Sequence, residues 1–189
     1  MPRITSLEKI FSTSIEPTSP FNFDATVHKP SHFPTPDNIY EDGKYWQTMN
    51  FQGKILGIKM ENEGSVDNPK VRLTVYSQFS LEAAYRLRLI EEIRWRYDLD
   101  SGISEFCEKF RGEELLGPIL QKWRGMRVSC AYSLYELLMM AIVLQNATVR
   151  RTVQMMDALL SKYGRKVRFD GKELYAFWEP KRLWEATEQ

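Results

Sequence analysis

The sequence predicts an α+β protein in which an N-terminal arm and antiparallel β domain, residues 1–80, precede a helical domain, residues 81–189. Three observations carry this expectation. Strand-like segments are concentrated before residue 80, the connections between them are short enough for an antiparallel meander, and from Leu81 onward apolar residues recur at helical spacing.

Six of the nine prolines fall within the first 36 residues, with Ser and Thr among them, which predicts an extended arm rather than a helix. Inside it, FNFDATVHK alternates Phe21, Phe23, Ala25 and Val27 on one face, as a strand does. His28 and His32 have the i, i+4 spacing of a helical metal pair, but Pro30 between them forbids that helix, so both read as loop histidines. Three further strands are expected in YWQTMNF (45–51), KILGIKM (54–60) and VRLTVYS (71–77), separated by Gln52-Gly53 and by the polar loop 61–70.

Leu81, Tyr85, Leu89 and Ile93 then form one helical stripe, and the rest of the chain reads as helical with breaks near Gly102, Gly112, Gly117-Pro118, Gly125 and Gly164. Glu91 and Glu92 could be imagined as an acid/base pair. Adjacent helical residues do not converge on one substrate, so they read as a solvated face. Ser133 followed by Glu136 is a capping box that opens a helix over 134–144. Its eight consecutive apolar residues, Leu137 to Leu144, predict burial on nearly all sides. Gln145, Asn146 and Ala147 form a tight turn, and Thr148 caps a second helix whose Val149, Val153, Met156, Leu160 and Tyr163 lie on one stripe, with Gly164 as its stop. GRKVR (164–168) reads as a basic loop, and Pro180 as the first turn of a last helix.

Composition narrows the function classes. A chain of 189 residues with 43% hydrophobic and 13% aromatic content can bury a sizeable core, which excludes a disordered chain. The net charge of +1 makes no global case for nucleic acid, but residues 122–172 hold ten basic side chains against three acidic ones, a local excess suited to a phosphate backbone. Cys107 and Cys130 cannot form a disulfide framework and show no metal-ligand spacing. The start, MPRITSLEKIF, has no signal-peptide pattern, and the longest apolar run is far short of the roughly 20 residues that a membrane span needs. A cytoplasmic protein with no membrane partner, no metal and no cofactor is expected.

The stretch YELLMMAIVLQNATVRRTVQMMDALLSKYG resembles the helix-turn-helix that opens the catalytic core of the helix-hairpin-helix DNA glycosylases. YDLD (97–100) and WRGMR (123–127) resemble the segments before that helix in the 3-methyladenine and 8-oxoguanine branches, and FNFDATVHKPSHF is similar to the first strand of their N-terminal β domain. The resemblance implies a protein that excises a damaged base from double-stranded DNA by cleaving the N-glycosidic bond. In that family the turn plugs the gap left by the extruded nucleotide and reads the orphaned partner base. It therefore implies DNA-binding roles for Gln145, Asn146, Thr148, Arg150 and Arg151, with Asn146 as the wedge and Arg151 as a contact to the estranged base. Asn146 and Arg151 resemble the 8-oxoguanine branch and Gln145 the alkyl-base branch, so both lesions stay open.

The family's Gly-x-Gly hairpin and downstream catalytic Asp have no counterpart before the final PKRLWEATEQ, so no catalytic residue is assigned. This chain is accordingly expected to be the non-catalytic N-terminal part of such an enzyme, associating either with a missing C-terminal portion or with itself, for example through a swapped helix. The alternative is a non-catalytic nucleic-acid-binding or oligomerisation module.

Overall fold

A computed structural model describes residues 4–29 and 35–184. The chain runs β1 (Thr5–Ser6), β2 (Glu8–Ile15), α1 (Phe23–Val27), β3 (Asn38–Glu41), β4 (Lys44–Phe51), β5 (Lys54–Asn62), β6 (Val71–Ser77), α2 (Ala83–Arg96), α3 (Ser104–Lys109), α4 (Leu116–Lys122), α5 (Leu134–Leu144), α6 (Val149–Tyr163), β7 (Arg165–Phe169), β8 (Lys172–Ala176) and α7 (Pro180–Trp184). The expected mixed α+β class, with antiparallel strands before residue 80 and helices after Leu81, is present.

The main sheet has the order β2-β6-β5-β4-β3 and is antiparallel throughout. The three strands expected over 45–77 form its centre. Alternation along them sends Tyr45, Met49, Leu56, Ile58, Met60, Leu73 and Val75 to one face, where Leu81, just before α2, and Tyr85, Leu89 and Ile93 of α2 pack into the same core. These side chains form the largest core of the molecule.

Two expectations about the N-terminal region are corrected. The arm is not merely extended: residues 8–15 form an edge strand paired with β6 from Glu8↔Ser77 to Ile15↔Val71. FNFDATVHK, expected as a strand, contains the one-turn helix α1 instead. Asn22 is the reason, because its side-chain Oδ1 accepts the Ala25 N–H at 3.0 Å and its carbonyl accepts the Thr26 hydroxyl at 2.6 Å, satisfying groups a strand would leave to a neighbour. Phe21, Phe23, Ala25 and Val27 are nonetheless all buried. His28 stacks on Tyr40 with ring centroids 4.6 Å apart, and His32 lies outside the described residues.

The largest correction falls on GRKVR. It is not a loop but the start of the β7–β8 hairpin, turned at Asp170-Gly171, where both residues have positive φ. With β1, which pairs parallel to β7, this hairpin forms a second, three-stranded sheet that packs on the other face of the main one. Val167, Phe169 and Leu174 meet Leu7, Trp46 and Tyr76 there. Phe169 lies directly over Gly57, where a Cβ would come within 2.6 Å of its ring. The turn is fastened by Asp170, whose carboxylate accepts the Trp46 indole N–H at 2.8 Å and the Tyr76 hydroxyl at 3.0 Å and pairs with Lys59 at 3.0 Å. Burial acts to raise the Asp170 pKa, but these three donors outweigh it and hold the carboxyl below its usual value.

The remaining helices show smaller departures. Gly117-Pro118 is not a break but lies in the first turn of α4, where a proline N–H would have no helical acceptor. Gly164 ends α6 with negative φ, so the left-handed cap is not its role. The backbone is close instead: a Cβ there would lie 2.4 Å from the Leu160 carbonyl oxygen and 2.8 Å from that of Ala176. Glu92 is paired with Arg96 one turn on, at 2.8 Å.

Asp37, just before β3, is buried beside Asn38, Tyr45, Tyr97, Tyr132 and Glu136. Burial pushes its carboxyl pKa up against the hydrogen bonds from Thr35 and Tyr132, and the nearby Glu136 adds to the rise. A raised folded-state pKa means the ionised form is disfavoured in the folded protein, so Asp37 lowers stability above that pKa and ceases to do so as pH falls through it. Asp37→Asn keeps the shape and one acceptor. The difference in melting temperature between variant and parent is expected to shift in the variant's favour as pH rises from acid to neutral, and a pH-independent difference would contradict this.

Candidate nucleic-acid interface

The five residues assigned to DNA lie in one seven-residue stretch at the α5–α6 connection, and all five are exposed. Local chemistry fixes both ends of this hairpin. Ser133 and Glu136 form the expected capping box, with the Ser133 N–H donating to Glu136 Oε2 at 2.7 Å and the Glu136 N–H to Ser133 Oγ at 3.3 Å. At the far end, the Gln145 and Ala147 N–H groups donate back to the Ile142 and Leu144 carbonyls, at 3.2 and 3.4 Å. Asn146 sits between them at φ +52, the left-handed region that Asn enters more readily than other side-chain-bearing residues. Thr148 then caps α6 by accepting the Arg151 N–H at 3.3 Å.

One side of the hairpin is anchored. Met156 and Leu160 of α6 pack with Phe177 and Trp178, and Tyr135, Met139, Met140 and Val143 of α5 join them. Phe177 and Trp178 stack with centroids 4.5 Å apart. The other side is open, which corrects the expectation that α5 is buried nearly all round: Leu134, Leu137, Leu138, Ile142 and Leu144 are exposed. Val149, on the α6 stripe expected from the sequence, follows the cap directly and is 56% exposed. Leu144 and Val149 thus flank Asn146 with apolar surface that the sequence reading did not assign to the interface.

The basic segment does not form one patch. Arg124 pairs with Asp67 at 2.6 Å, Lys166 and Arg168 pair with Glu173, and Lys172 pairs with Glu41 at 2.6 Å. Arg127 is buried and donates to the Thr18 carbonyl at 2.8 Å. The sequence separation of Asp67 and Glu41 from their partners hid this neutralisation. Among the described residues, no carboxylate pairs with Arg150 or Arg151. They occupy the first turn of α6, which contains no acidic residue. Two cations there oppose the helix dipole, at a cost of about 0.3–1 kcal/mol each. A local rule broken at an exposed turn is where a function is to be sought.

Among the described residues, no group of three or more His, Cys, Asp or Glu is arranged to hold a metal ion, and no helix is long and apolar enough to cross a membrane.

No known family model matches the sequence, and no curated protein does. Solved structures do match. The 3-methyladenine DNA-glycosylase from Archaeoglobus fulgidus superposes with a TM-score of 0.73 at 15% identity, over 90% of this chain and 57% of that one. The 8-oxoguanine glycosylase/lyase from Clostridium acetobutylicum superposes in its apo form with a TM-score of 0.65 at 16% identity, over 97% of this chain and 58% of that one. The same enzyme in complex with double-stranded DNA containing cytosine opposite 8-oxoguanine gives 0.65 at 16%, over 96% and 56%. The likeness is one of fold, and its neighbours are DNA glycosylases. This chain spans less than three-fifths of their length.

Proposed function

We propose that this chain is the DNA-separating, non-catalytic N-terminal part of a base-excision glycosylase of the helix-hairpin-helix superfamily. Its partner is double-stranded DNA carrying an oxidised or alkylated base. The observation that carries the reading is the exposed turn itself: Asn146 projects from a left-handed position between Leu144 and Val149, with Arg150 and Arg151 following in the first turn of α6. Such a turn offers an apolar-flanked amide to fill the space of an extruded nucleotide, and two cations for the adjoining phosphates or base edges. The glycosylase fold of the neighbours supports placing that chemistry on DNA.

A plug gains most where the duplex already has a hole, because the few kcal/mol of unstacking need not be spent. The chain is therefore expected to bind a duplex containing an abasic position more tightly than the fully paired duplex. Asn146→Gly is the informative variant, since glycine takes positive φ without strain and only the side chain is lost. Fluorescence anisotropy should show that it loses the preference for the abasic duplex while calorimetry shows an unchanged melting temperature. Equal affinity of the parent for both duplexes, or no binding at low salt, would sink the reading.

A further inference from the structure

We infer, resting on the DNA reading above, that a cavity between the β domain and α5 receives the extruded base, and that Lys29 on its wall selects a neutral, oxidised base such as 8-oxoguanine against a base made cationic by alkylation of a ring nitrogen. The cavity has a volume of about 260 Å³ and is walled by α1 with Lys29 just past it, the starts of β3 and β4, the loop 129–132, and Leu137 and Met140 of α5. Every one of these walls belongs to this chain. Its size suits one flat heterocycle, and a mostly apolar wall with a few polar groups is the usual make-up of a small-molecule site. Leu137 and Met140 lie nine and six residues before Asn146, about 14 and 9 Å along the helix axis, so the helix that ends at the plug also lines the cavity into which a base turned out of the stack would pass.

Most polar groups of the wall are spent on their neighbours. The Thr26 hydroxyl donates to the Asn22 carbonyl at 2.6 Å and the Ser129 hydroxyl to the Thr26 carbonyl at 3.1 Å. The Asn38 amide donates to Thr35 Oγ1 at 2.8 Å and to the Tyr132 hydroxyl at 3.3 Å, and the Cys130 thiol to the Tyr132 carbonyl at 3.4 Å. Lys29 differs. One of its three N–H groups donates to the Ser129 carbonyl at 3.0 Å, no carboxylate among the described residues pairs with it, and the five residues that follow it, 30–34, include no Asp or Glu. Burial lowers its pKa, and the nearby Cys130 acts against the fall. The ammonium thus has donors left for a ligand. 8-Oxoguanine is neutral and presents two carbonyl oxygens on its edges, either of which accepts a charge-assisted hydrogen bond from Lys29 Nζ. A purine alkylated at a ring nitrogen is a cation, and against an ammonium between apolar walls it meets a repulsion that water would otherwise screen. Tyr45 and Tyr132 offer aromatic surface to either base, so the choice falls to Lys29.

The test is competition fluorescence anisotropy of the full chain with duplexes that differ at one position opposite cytosine: 8-oxoguanine, cationic 7-methylguanine held against depurination by a 2′-fluoro sugar, an abasic site, and guanine. The chain is expected to bind the 8-oxoguanine duplex at least about 10-fold more tightly than the 7-methylguanine duplex. Lys29→Met should bring that ratio close to one, Lys29→Glu should reverse it, and Lys29→Arg, which keeps the charge, should retain it. The ratio is the readout because a structural role for Lys29, or a contact from it to phosphate, would weaken both duplexes alike and leave the ratio where it was; that result overturns the proposal. The ratio of the unaltered chain decides the matter even if the variants fail to fold. Preference for the abasic over the guanine duplex without discrimination between the two lesions overturns the role of Lys29 and leaves the DNA reading standing, whereas no binding to any of the duplexes overturns both.

Discussion

Gly57→Val is expected to destabilise the protein by about 3 kcal/mol or more, lowering the melting temperature by roughly 10 °C. Gly57 lies in the middle of the main sheet, paired with Thr48 and Tyr76 on its two neighbouring strands, and the Phe169 ring covers it so closely that a first carbon would overlap three ring atoms at 2.6–2.7 Å. The strand cannot yield, because Leu56 and Ile58 on either side are buried in the core of the opposite face. Phe169 must therefore move, and with it the β7–β8 hairpin and the Asp170 anchor. The double variant Gly57→Val/Phe169→Ala should lose clearly less than the sum of the two single losses, as expected for residues in direct contact. Simple additivity in urea unfolding would show that the two residues do not share this space.

That contact also explains what the sequence revealed and what it hid. The central strands were legible because alternation in YWQTMNF, KILGIKM and VRLTVYS reports a single buried face. The caps at Ser133 and Thr148 were legible because a hydroxyl followed by the right neighbours is a local signal. The β7–β8 hairpin is masked in the sequence by its four basic residues, Arg165, Lys166, Arg168 and Lys172, although Asp170-Gly171 between alternating segments is a strong hairpin signal. Its role could not be read at all, since Trp46, Lys59 and Tyr76 reach Asp170 across more than ninety residues of chain. The short segment FNFDATV carries both periodicities at once, and only the Asn22 cap decides between them.

The candidate interface shows the same division. Its five exposed residues were found from one turn, because the end of one helix, a cap and the start of the next are contiguous in the chain. The local excess of charge around it is smaller than the sequence suggests, since four of the ten basic residues in that segment, Arg124, Lys166, Arg168 and Lys172, pair with carboxylates that lie outside it in the chain. The exposure of Leu144 and Val149 is not legible in the sequence, because an apolar residue in a helical stripe has the same local pattern whether or not a packing partner covers it.

Arg150→Glu/Arg151→Glu is the variant in which the proposed interface and the stability of the fold give opposite signs. Glutamates in the first turn of α6 complement the helix dipole that the arginines oppose, so the helix should gain on the order of 1 kcal/mol and the melting temperature should rise. Both side chains are exposed, and no carboxylate among the described residues is left unpaired by their removal. If the two arginines meet phosphates, DNA binding should move the other way. Each lost phosphate contact removes close to one unit from the slope of log affinity against log salt, which at about 0.1 M amounts to a combined loss on the order of 50-fold. The milder Arg150→Ala/Arg151→Ala should flatten the slope by about two units with little effect on folding. Loss of binding together with a lower melting temperature would mean that the arginines support the fold, and an unchanged salt slope would place the phosphate contacts elsewhere on the molecule. A tighter fold with weaker, less salt-dependent binding is the outcome that only a DNA-facing α6 produces.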